Sequence, residues 1–161
     1  MDTQTVLETS RMVLEVWTER FETPAENRLD VYLKDAKNLV PAVVGLLVKR
    51  LGYLVAITGL DPEAEAPMLE ILYHFCAGPA VVTLRVNVPK DNAKIASLCE
   101  VLPSAEPQER ELREMFGVEV VGLHNPEFLY LPDDWDQADY PLRKDFAAVP
   151  AAEKAELTDE L

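Results

Sequence analysis

A regular alternation of apolar and polar side chains runs through Ala-Val-Val-Thr-Leu-Arg-Val-Asn-Val, residues 80–88. In an extended chain, the apolar side chains at positions 82, 84, 86 and 88 share one face, and the polar ones at 83, 85 and 87 share the other. This pattern predicts a strand of an antiparallel sheet with one face on the protein core. Pro89 follows at once and is expected to end the strand, because proline has no N–H to donate to a neighbour.

Three further strands are predicted upstream. Residues 53–58 and 68–77 are rich in β-branched and aromatic side chains, and residues 28–33 alternate between two faces. Asp61-Pro62 and Gly78-Pro79 supply turn chemistry between the last three strands. The four segments together predict a mixed sheet of about four strands.

Helices are predicted before, between and after these strands. The first covers residues 5–21, and the second runs from about Asn38, its cap, to Leu51. A third is predicted between residues 91 and 103, with apolar residues at positions 95, 98, 99 and 102. The resulting order predicts an α+β fold, a two-layer sandwich with the helices on one face of the sheet.

The last predicted helix has the sequence Gln-Glu-Arg-Glu-Leu-Arg-Glu-Met-Phe-Gly, residues 108–117. Pro107 is tolerated in its first turn, Ser104 is a candidate cap, and Gly117 can supply the left-handed residue at its end. Three apolar side chains share one face at the spacing i, i+3, i+4: Leu112, Met115 and Phe116. The charged side chains then form either a solvated face or a docking surface.

Four short motifs follow one another in the last third of the chain: E-R-E-x-x-E-M-F-G at 109–117, H-x-P at 124–126, L-P-D-D-W at 131–135 and P-L-R-K-D-F at 141–146. In this order they resemble the C-subunit family of proton-pumping NADH-quinone oxidoreductase, the respiratory complex I. The same family includes the matching subunits of F(420)H(2) dehydrogenases and of membrane-bound, energy-converting nickel–iron hydrogenases. Over residues 109–146 the resemblance rests on specific motifs. Before residue 109 it rests only on the predicted order of strands and helices.

The resemblance implies a non-catalytic subunit in the peripheral arm of a complex I-type, ion-pumping oxidoreductase. The complex as a whole would be the enzyme, and this chain would dock and stabilise the large hydrogenase-like subunit and its iron–sulfur partner. Iron–sulfur clusters are expected in those neighbours, and no cofactor is expected in this chain. The implied location is peripheral, on the cytoplasmic side of the cell membrane, with only indirect contact to the integral membrane arm.

The resemblance also implies two regions, an α/β domain at residues 1–121 and an extended, partner-binding segment at 122–161. The partner-binding residues carried over from the motifs are Glu109, Arg110, Glu111, Glu114, His124, Trp135, Pro141, Leu142, Arg143, Lys144, Asp145 and Phe146. Trp135 and Phe146 are the expected anchors, because large rings bury the most area for each side chain that is ordered.

The C-terminal segment combines many bulky side chains with no hydrophobic period. Pro126, Pro132 and Pro141 prevent regular structure there. We expect most of the segment to lie on another protein and to be mobile in the isolated chain. The alternative is that it folds back on its own domain.

Composition limits the classes of partner. The net charge of −14 argues against nucleic acid and against an anionic membrane surface, and favours a protein or a small molecule. The longest apolar run, residues 39–48, is about half of the roughly 20 residues that a membrane span needs. The N-terminus also lacks the basic region of a signal peptide. We therefore expect a soluble chain.

No catalytic or metal-binding pattern is recognisable. Cys76 and Cys99 lack the spacing of a zinc or iron–sulfur site, and His74 and His124 are far apart in the sequence. A nucleophile elbow and a phosphate-binding loop are both missing. The acidic cluster of Asp133, Asp134 and Asp136 is typical of a solvated loop, with a metal site as the alternative. The sequence therefore predicts no catalytic residue and no metal.

Two other interpretations of the function stay open. One is the equivalent subunit of an energy-converting nickel–iron hydrogenase or of an F(420)H(2) dehydrogenase. The other, from a different class, is a freestanding α+β domain that binds a small molecule.

Overall fold

The computed structural model describes residues 2–147. This part of the chain contains three α-helices and seven β-strands. In chain order they are α1 (Thr3–Leu14), β1 (Thr18–Ala25), β2 (Arg28–Leu33), α2 (Leu39–Val48), β3 (Tyr53–Leu60), β4 (Met68–Ala77), β5 (Ala80–Pro89), β6 (Lys94–Ala96), α3 (Glu106–Phe116) and β7 (Glu119–Val121). Short 3-10 helices lie at Glu15–Trp17, Ala36–Asn38, Lys90–Asn92 and Pro103–Ala105.

The main sheet has the strand order β1-β2-β5-β4-β3. β2 and β5 are parallel, and the other neighbouring pairs are antiparallel. The chain can place β2 beside β5 because α2 and the β3–β4 hairpin are inserted between them. The predicted α+β class and mixed sheet are therefore confirmed, with five strands instead of about four.

The core lies between the sheet and the helices. The apolar face predicted for residues 80–88 is almost completely buried, and it packs in one cluster with side chains of all three helices. α2 contributes Leu39, Val43 and Leu46, which are fully buried. Burying one such side chain stabilises the fold by about 1.5–3 kcal/mol. The alternation of apolar and polar residues in the strands and the apolar face of α2 thus predicted the same core, one from the sheet and the other from the helices.

The helix predicted for residues 5–21 is too long. It ends at Leu14, and the chain then forms β1, in which Phe21 pairs with Val31 of β2. Phe21 packs against the core from this strand position, so its apolar character fits both interpretations. Pro24 is tolerated because β1 is an edge strand, where a missing N–H leaves no neighbour unpaired.

The helix predicted between residues 91 and 103 is wrong. Residues 94–96 form β6, which runs parallel to β7 with Ile95 opposite Val120. Ile95 is buried between exposed neighbours, as in a strand. The N–H of Leu98 then binds a side chain of α3 instead of a helical carbonyl. Tertiary partners therefore replace the local hydrogen bonds that a helix would need.

The predicted helix ends are only partly confirmed. Pro107 lies in the first turn of α3, and Gly117 ends it in the left-handed conformation at φ 67°. Neither Ser104 nor Asn38 caps its helix through a side-chain hydrogen bond. The chain instead enters α2 through a 3-10 turn capped by Asp35.

Candidate functional site

The acidic residue that opens the E-R-E motif is fully buried. Glu109 accepts the Leu98 N–H and the Ser97 hydroxyl at 2.6 Å each, and the Cys99 thiol lies 3.3 Å from the same carboxylate. Burial raises the pKa of the Cys99 thiol, the Ser97 hydroxyl lowers it, and Glu109 raises it further. Through its hydrogen bonds to Ser97 and Leu98, Glu109 joins α3 to the turn that follows β6.

A second acidic residue of α3 holds the C-terminal segment, which we define as residues 122–147 of the structure. Glu114 is buried, and its two carboxylate oxygens accept the N–H groups of Leu129 and Tyr130 at 2.8 and 3.0 Å. Hydrogen bonds to an ionised carboxylate are among the stronger ones in proteins. Glu114 thus fixes the backbone of the segment against the helix.

The arginines of α3 bind the same stretch through its carbonyl groups. Arg110 donates to the carbonyls of Glu127 and Phe128 at 2.9 and 2.8 Å. Arg113 donates to the carbonyl of Pro126 at 2.6 Å. Together with Glu114, the two arginines hold residues 126–130 along one side of α3.

The P-L-R-K-D-F motif lies at the C-terminal end of α3. The Leu142 N–H binds the carbonyl of Met115 at 3.1 Å, and the Arg143 guanidinium binds the carbonyl of Phe116 at 2.7 Å. The last carbonyls of a helix have no partner within the helix. The motif supplies those partners, with a cation placed where the helix dipole favours one.

The glycine that ends α3 also makes room for an aromatic ring. A Cβ atom on Gly117 would collide with the Tyr140 ring. The guanidinium carbon of Arg143 lies 4.5 Å from the centroid of the same ring. Gly117 therefore serves both the left-handed turn and the packing of the segment.

The next two residues of the motif reach a buried ion pair between Asp61 and Lys90. Lys144 donates its backbone N–H to Asp61 at 2.9 Å, and the Asp145 carboxylate lies 3.6 Å from the Lys90 ammonium. Burial alone would raise the pKa of Asp61, but the hydrogen bonds from Lys90 and Lys144, together with the positive charges of Lys90 and Arg143, lower the pKa below its ordinary value. Asp61 therefore holds its negative charge in a nearly closed environment.

The two expected aromatic anchors contact each other. The ring centroids of Trp135 and Phe146 are 6.3 Å apart, and the Trp135 indole N–H donates to the carbonyl of Asp139 at 2.9 Å. Both side chains are partly buried. The segment therefore has a small aromatic cluster of its own.

The C-terminal segment folds back on its own domain, which was the alternative to our main expectation. Its own pattern gave no sign of this, because several of the contacts are made by backbone N–H groups, such as those of Leu129, Tyr130 and Lys144, whose partners the side-chain pattern does not reveal. Sequence reasoning also missed Asp61 and Lys90, the side chains that contact residues 144 and 145 of the segment. It likewise missed Ser97, which binds Glu109, and Tyr140, whose ring packs on Gly117. Asp61 and Lys90 each follow a strand directly, and this shared position in the sequence was the only feature from which their proximity could have been predicted.

The residues carried over from the motifs differ in how accessible they are. Glu109 and Glu114 are buried. The partly buried ones are Arg110, Glu111, Trp135, Pro141, Arg143 and Phe146. The exposed ones are His124, Leu142, Lys144 and Asp145, and His124 lies 3.1 Å from Glu100. Contact of these residues with a partner stays a prediction.

A cleft of about 420 Å³ is lined by residues 90–93, by the C-terminal end of α3 with residues 117–119, and by part of the segment. Side chains of both signs line it, including Arg113, Arg143, Glu119 and Asp139. This mixture favours no single charged ligand.

The histidines and cysteines lie in separate places. His74 is on β4 between Thr58 and Thr83, within 3.3 Å of both hydroxyls. Within residues 2–147, no group of three or more His, Cys, Asp and Glu side chains is arranged to hold a metal ion. Across the same residues, none of the helices has the length and apolarity needed to cross a membrane.

Comparison with known families decides the relationship. The family model described as "Respiratory-chain NADH dehydrogenase, 30 Kd subunit" matches residues 33–152, about three quarters of the chain. The chain belongs to this family. Membership in the 30-kDa subunit family confirms the resemblance that the four motifs carried.

Relatives of this chain are subunits of several kinds of complex. The C subunit of the F(420)H(2) dehydrogenase of Methanosarcina mazei is 31% identical over 93% of this chain and 95% of the relative. The C subunit of the NADH-quinone oxidoreductase of Roseiflexus castenholzii is 34% identical over 60% of this chain and 55% of the relative. The chain thus spans about half the length of that relative. Formate hydrogenlyase subunit 5 of Escherichia coli is 35% identical over 67% of this chain but only 20% of the relative.

A solved structure has the same fold. It is a chain of the membrane-bound sulfane sulfur reductase, an archaeal respiratory membrane complex, with a TM-score of 0.74 and 24% identity. The match covers 92% of this chain and 89% of the other. It therefore includes at least part of the C-terminal segment as well as the α+β domain.

Proposed function

We propose that this 30-kDa family member is a non-catalytic subunit in the peripheral arm of a complex I-type, ion-pumping oxidoreductase. It docks and stabilises the large hydrogenase-like subunit and its iron–sulfur partner on the cytoplasmic side of the membrane. The family match over residues 33–152 is the observation that carries the proposal. The redox cofactors then belong to the neighbours, and metal analysis of the washed, isolated chain should find no stoichiometric iron or zinc.

The docking surface that we propose is the outer side of the C-terminal segment. Tyr130 and Leu142 are apolar side chains that stay 65% and 51% exposed while the backbone beside them is held by α3. Exposed aromatic and aliphatic side chains on a rigid backbone suit an interface, because little conformational entropy is lost when they bind.

A second candidate is the equivalent subunit of an F(420)H(2) dehydrogenase or of an energy-converting hydrogenase. The nearly full-length match to the Methanosarcina mazei protein favours the first of these two. We propose the same docking role in either case, so the electron donor has to be identified from the proteins that co-purify.

The test is co-purification of the tagged chain from its native host, followed by mass spectrometry of the bound proteins. Leu142→Ser and Tyr130→Ser should each lower the yield of the large hydrogenase-like subunit about tenfold or more, as expected for interface anchors. Val48→Ser is the matched control, because Val48 is an apolar side chain of α2 that is 72% exposed and is not part of the proposed docking surface. A monodisperse monomer that binds a small molecule saturably would instead support the freestanding domain.

A further inference from the structure

Two oppositely charged side chains form a buried pair where β3 and β5 end. The Lys90 ammonium lies 2.8 Å from an Asp61 carboxylate oxygen, and the two side chains are only 6% and 0% exposed. Lys90 also donates to the carbonyl of Ala64 at 3.0 Å. Lysine is rarely buried to this degree unless it is paired, so the site is organised around the charge of Asp61.

The C-terminal segment contacts this pair at three consecutive residues. The Lys144 N–H binds the same Asp61 oxygen that faces Lys90, and Asp145 lies 3.6 Å from the Lys90 ammonium. Arg143 donates to the Lys90 carbonyl at 3.3 Å. Each contact depends on the position of Asp61 or Lys90, and each comes from the P-L-R-K-D-F motif.

We propose that the Asp61–Lys90 pair is a clasp that holds residues 140–147 on the domain. The clasp concerns this chain alone. Its consequence for assembly rests on the proposed function, since the clasp would fix the backbone that presents Leu142 to a partner. Asp61 and Lys90 are therefore positioning residues, which act on a docking surface that they do not form themselves.

The test is amide hydrogen exchange of the full chain without partners, followed at residues 142–146. Asp61→Asn and Lys90→Met each remove one charge with little change of shape. Each should speed exchange at 142–146 about 10- to 100-fold, while β4 and β5 stay protected. The double variant should add little to either single change, because both break the same contact.

Lys94→Met is the matched control. It breaks the Lys94–Glu119 pair, which has a similar distance of 2.7 Å but lies at the surface, with 50% and 58% exposed side chains. Exchange at 142–146 should not change in this variant. Wild-type exchange rates in Asp61→Asn and Lys90→Met, with a protected sheet, would overturn the clasp.

If either buried change also unfolds the sheet, Asp145→Ala decides the question, because the Asp145 side chain is 52% exposed and faces Lys90 from outside. A several-fold rise in exchange at 142–146 supports the clasp, and an unchanged rate overturns it. Co-purification is a separate measurement. The clasp can therefore hold in the isolated chain while the proposed function fails, and the reverse can also occur.

Discussion

Glu109 illustrates how a charged residue of an amphipathic helix can be structural. Its position on the helix predicts a place on the charged face. The turn after β6 covers the side chain, however, and supplies two hydrogen-bond donors at 2.6 Å. A buried donor without a partner is costly, so the carboxylate and the turn need each other.

We predict that Glu109→Ala lowers the free energy of unfolding by roughly 1–3 kcal/mol for each of the two donors left unpaired. Urea unfolding of the isolated chain measures this change. Glu111→Ala is the control, since it removes the same side chain from the same helix at a partly exposed position and should stay within about 0.5 kcal/mol of wild type. Equal effects of the two changes would contradict the structural role of Glu109.

His74 is the second residue whose surroundings have a measurable consequence. Burial lowers its pKa below the ordinary value of 6.5, Arg28 and Arg85 lower it further, and Asp30 opposes them. The folded protein therefore binds fewer protons at His74 than the unfolded chain does between the two pKa values.

We predict that His74 makes the unfolding free energy depend on pH. Its contribution is fully present above about pH 6.5, the unfolded pKa, and it is lost as the pH falls through the lower folded pKa. His74→Gln should flatten the decline in stability between about pH 7.5 and 5.5. Urea unfolding across that range measures it, and identical slopes for the two proteins would rule the effect out.

At the scale of single elements, α3 is held at its end by a turn and a ring together. Gly117 adopts φ 67°, and the Tyr140 ring occupies the space where a Cβ would stand. Gly78 has a similar φ of 58°, but among the described residues 2–147 a Cβ there would meet no atom within 4 Å. Comparing substitutions at the two glycines therefore distinguishes the cost of the left-handed backbone from the cost of displacing a packed ring.

We predict that Gly78→Ala costs about 1–2 kcal/mol from the left-handed backbone alone. Gly117→Ala should cost at least about 1 kcal/mol more, because the new methyl group displaces Tyr140. Denaturant unfolding compares the two variants. The double variant Gly117→Ala/Tyr140→Ala should recover part of the added loss, and a loss equal to that of Gly78→Ala would mean that the ring does not matter.

At the scale of the whole molecule, the C-terminal segment is part of the folded unit. Glu114 and the arginines of α3 hold one part of it, and the end of α3 and the Asp61–Lys90 pair hold the other. The first attachment lies on the side of α3, and the second lies at the end of α3 and at the Asp61–Lys90 pair, so we expect that each can be released separately.

We predict that the amides of Leu129 and Tyr130 are protected from hydrogen exchange in the isolated chain. Glu114→Ala should speed their exchange by about tenfold or more and leave residues 142–146 protected. Glu111→Ala again serves as the control. Rapid exchange at both amides in the wild-type chain would return the segment to our first expectation, that it is ordered only on a partner.

The local patterns were sufficient for the framework of the domain. Strands β2 and β4 have the predicted bounds, and β3 and β5 extend past the predicted ends by two residues and one. The order of the four motifs was also sufficient for the family. These features can be predicted from the sequence because each depends on side chains only a few residues apart. At that distance, hydrophobic periodicity and turn-forming residues indicate the local structure.

Other features depend on neighbours that are distant in the chain. β1 and β6 exist because another strand offers them hydrogen bonds, and their own residues are compatible with a helix as well. Glu109 and Glu114 are internal because a turn and a loop cover them. Asp61 meets Lys144 across 83 residues, and only the folded chain brings those groups within hydrogen-bond distance. A charged side chain is the same in the sequence whether it faces water or a buried donor, so its role was decided by the groups that the tertiary fold places around it.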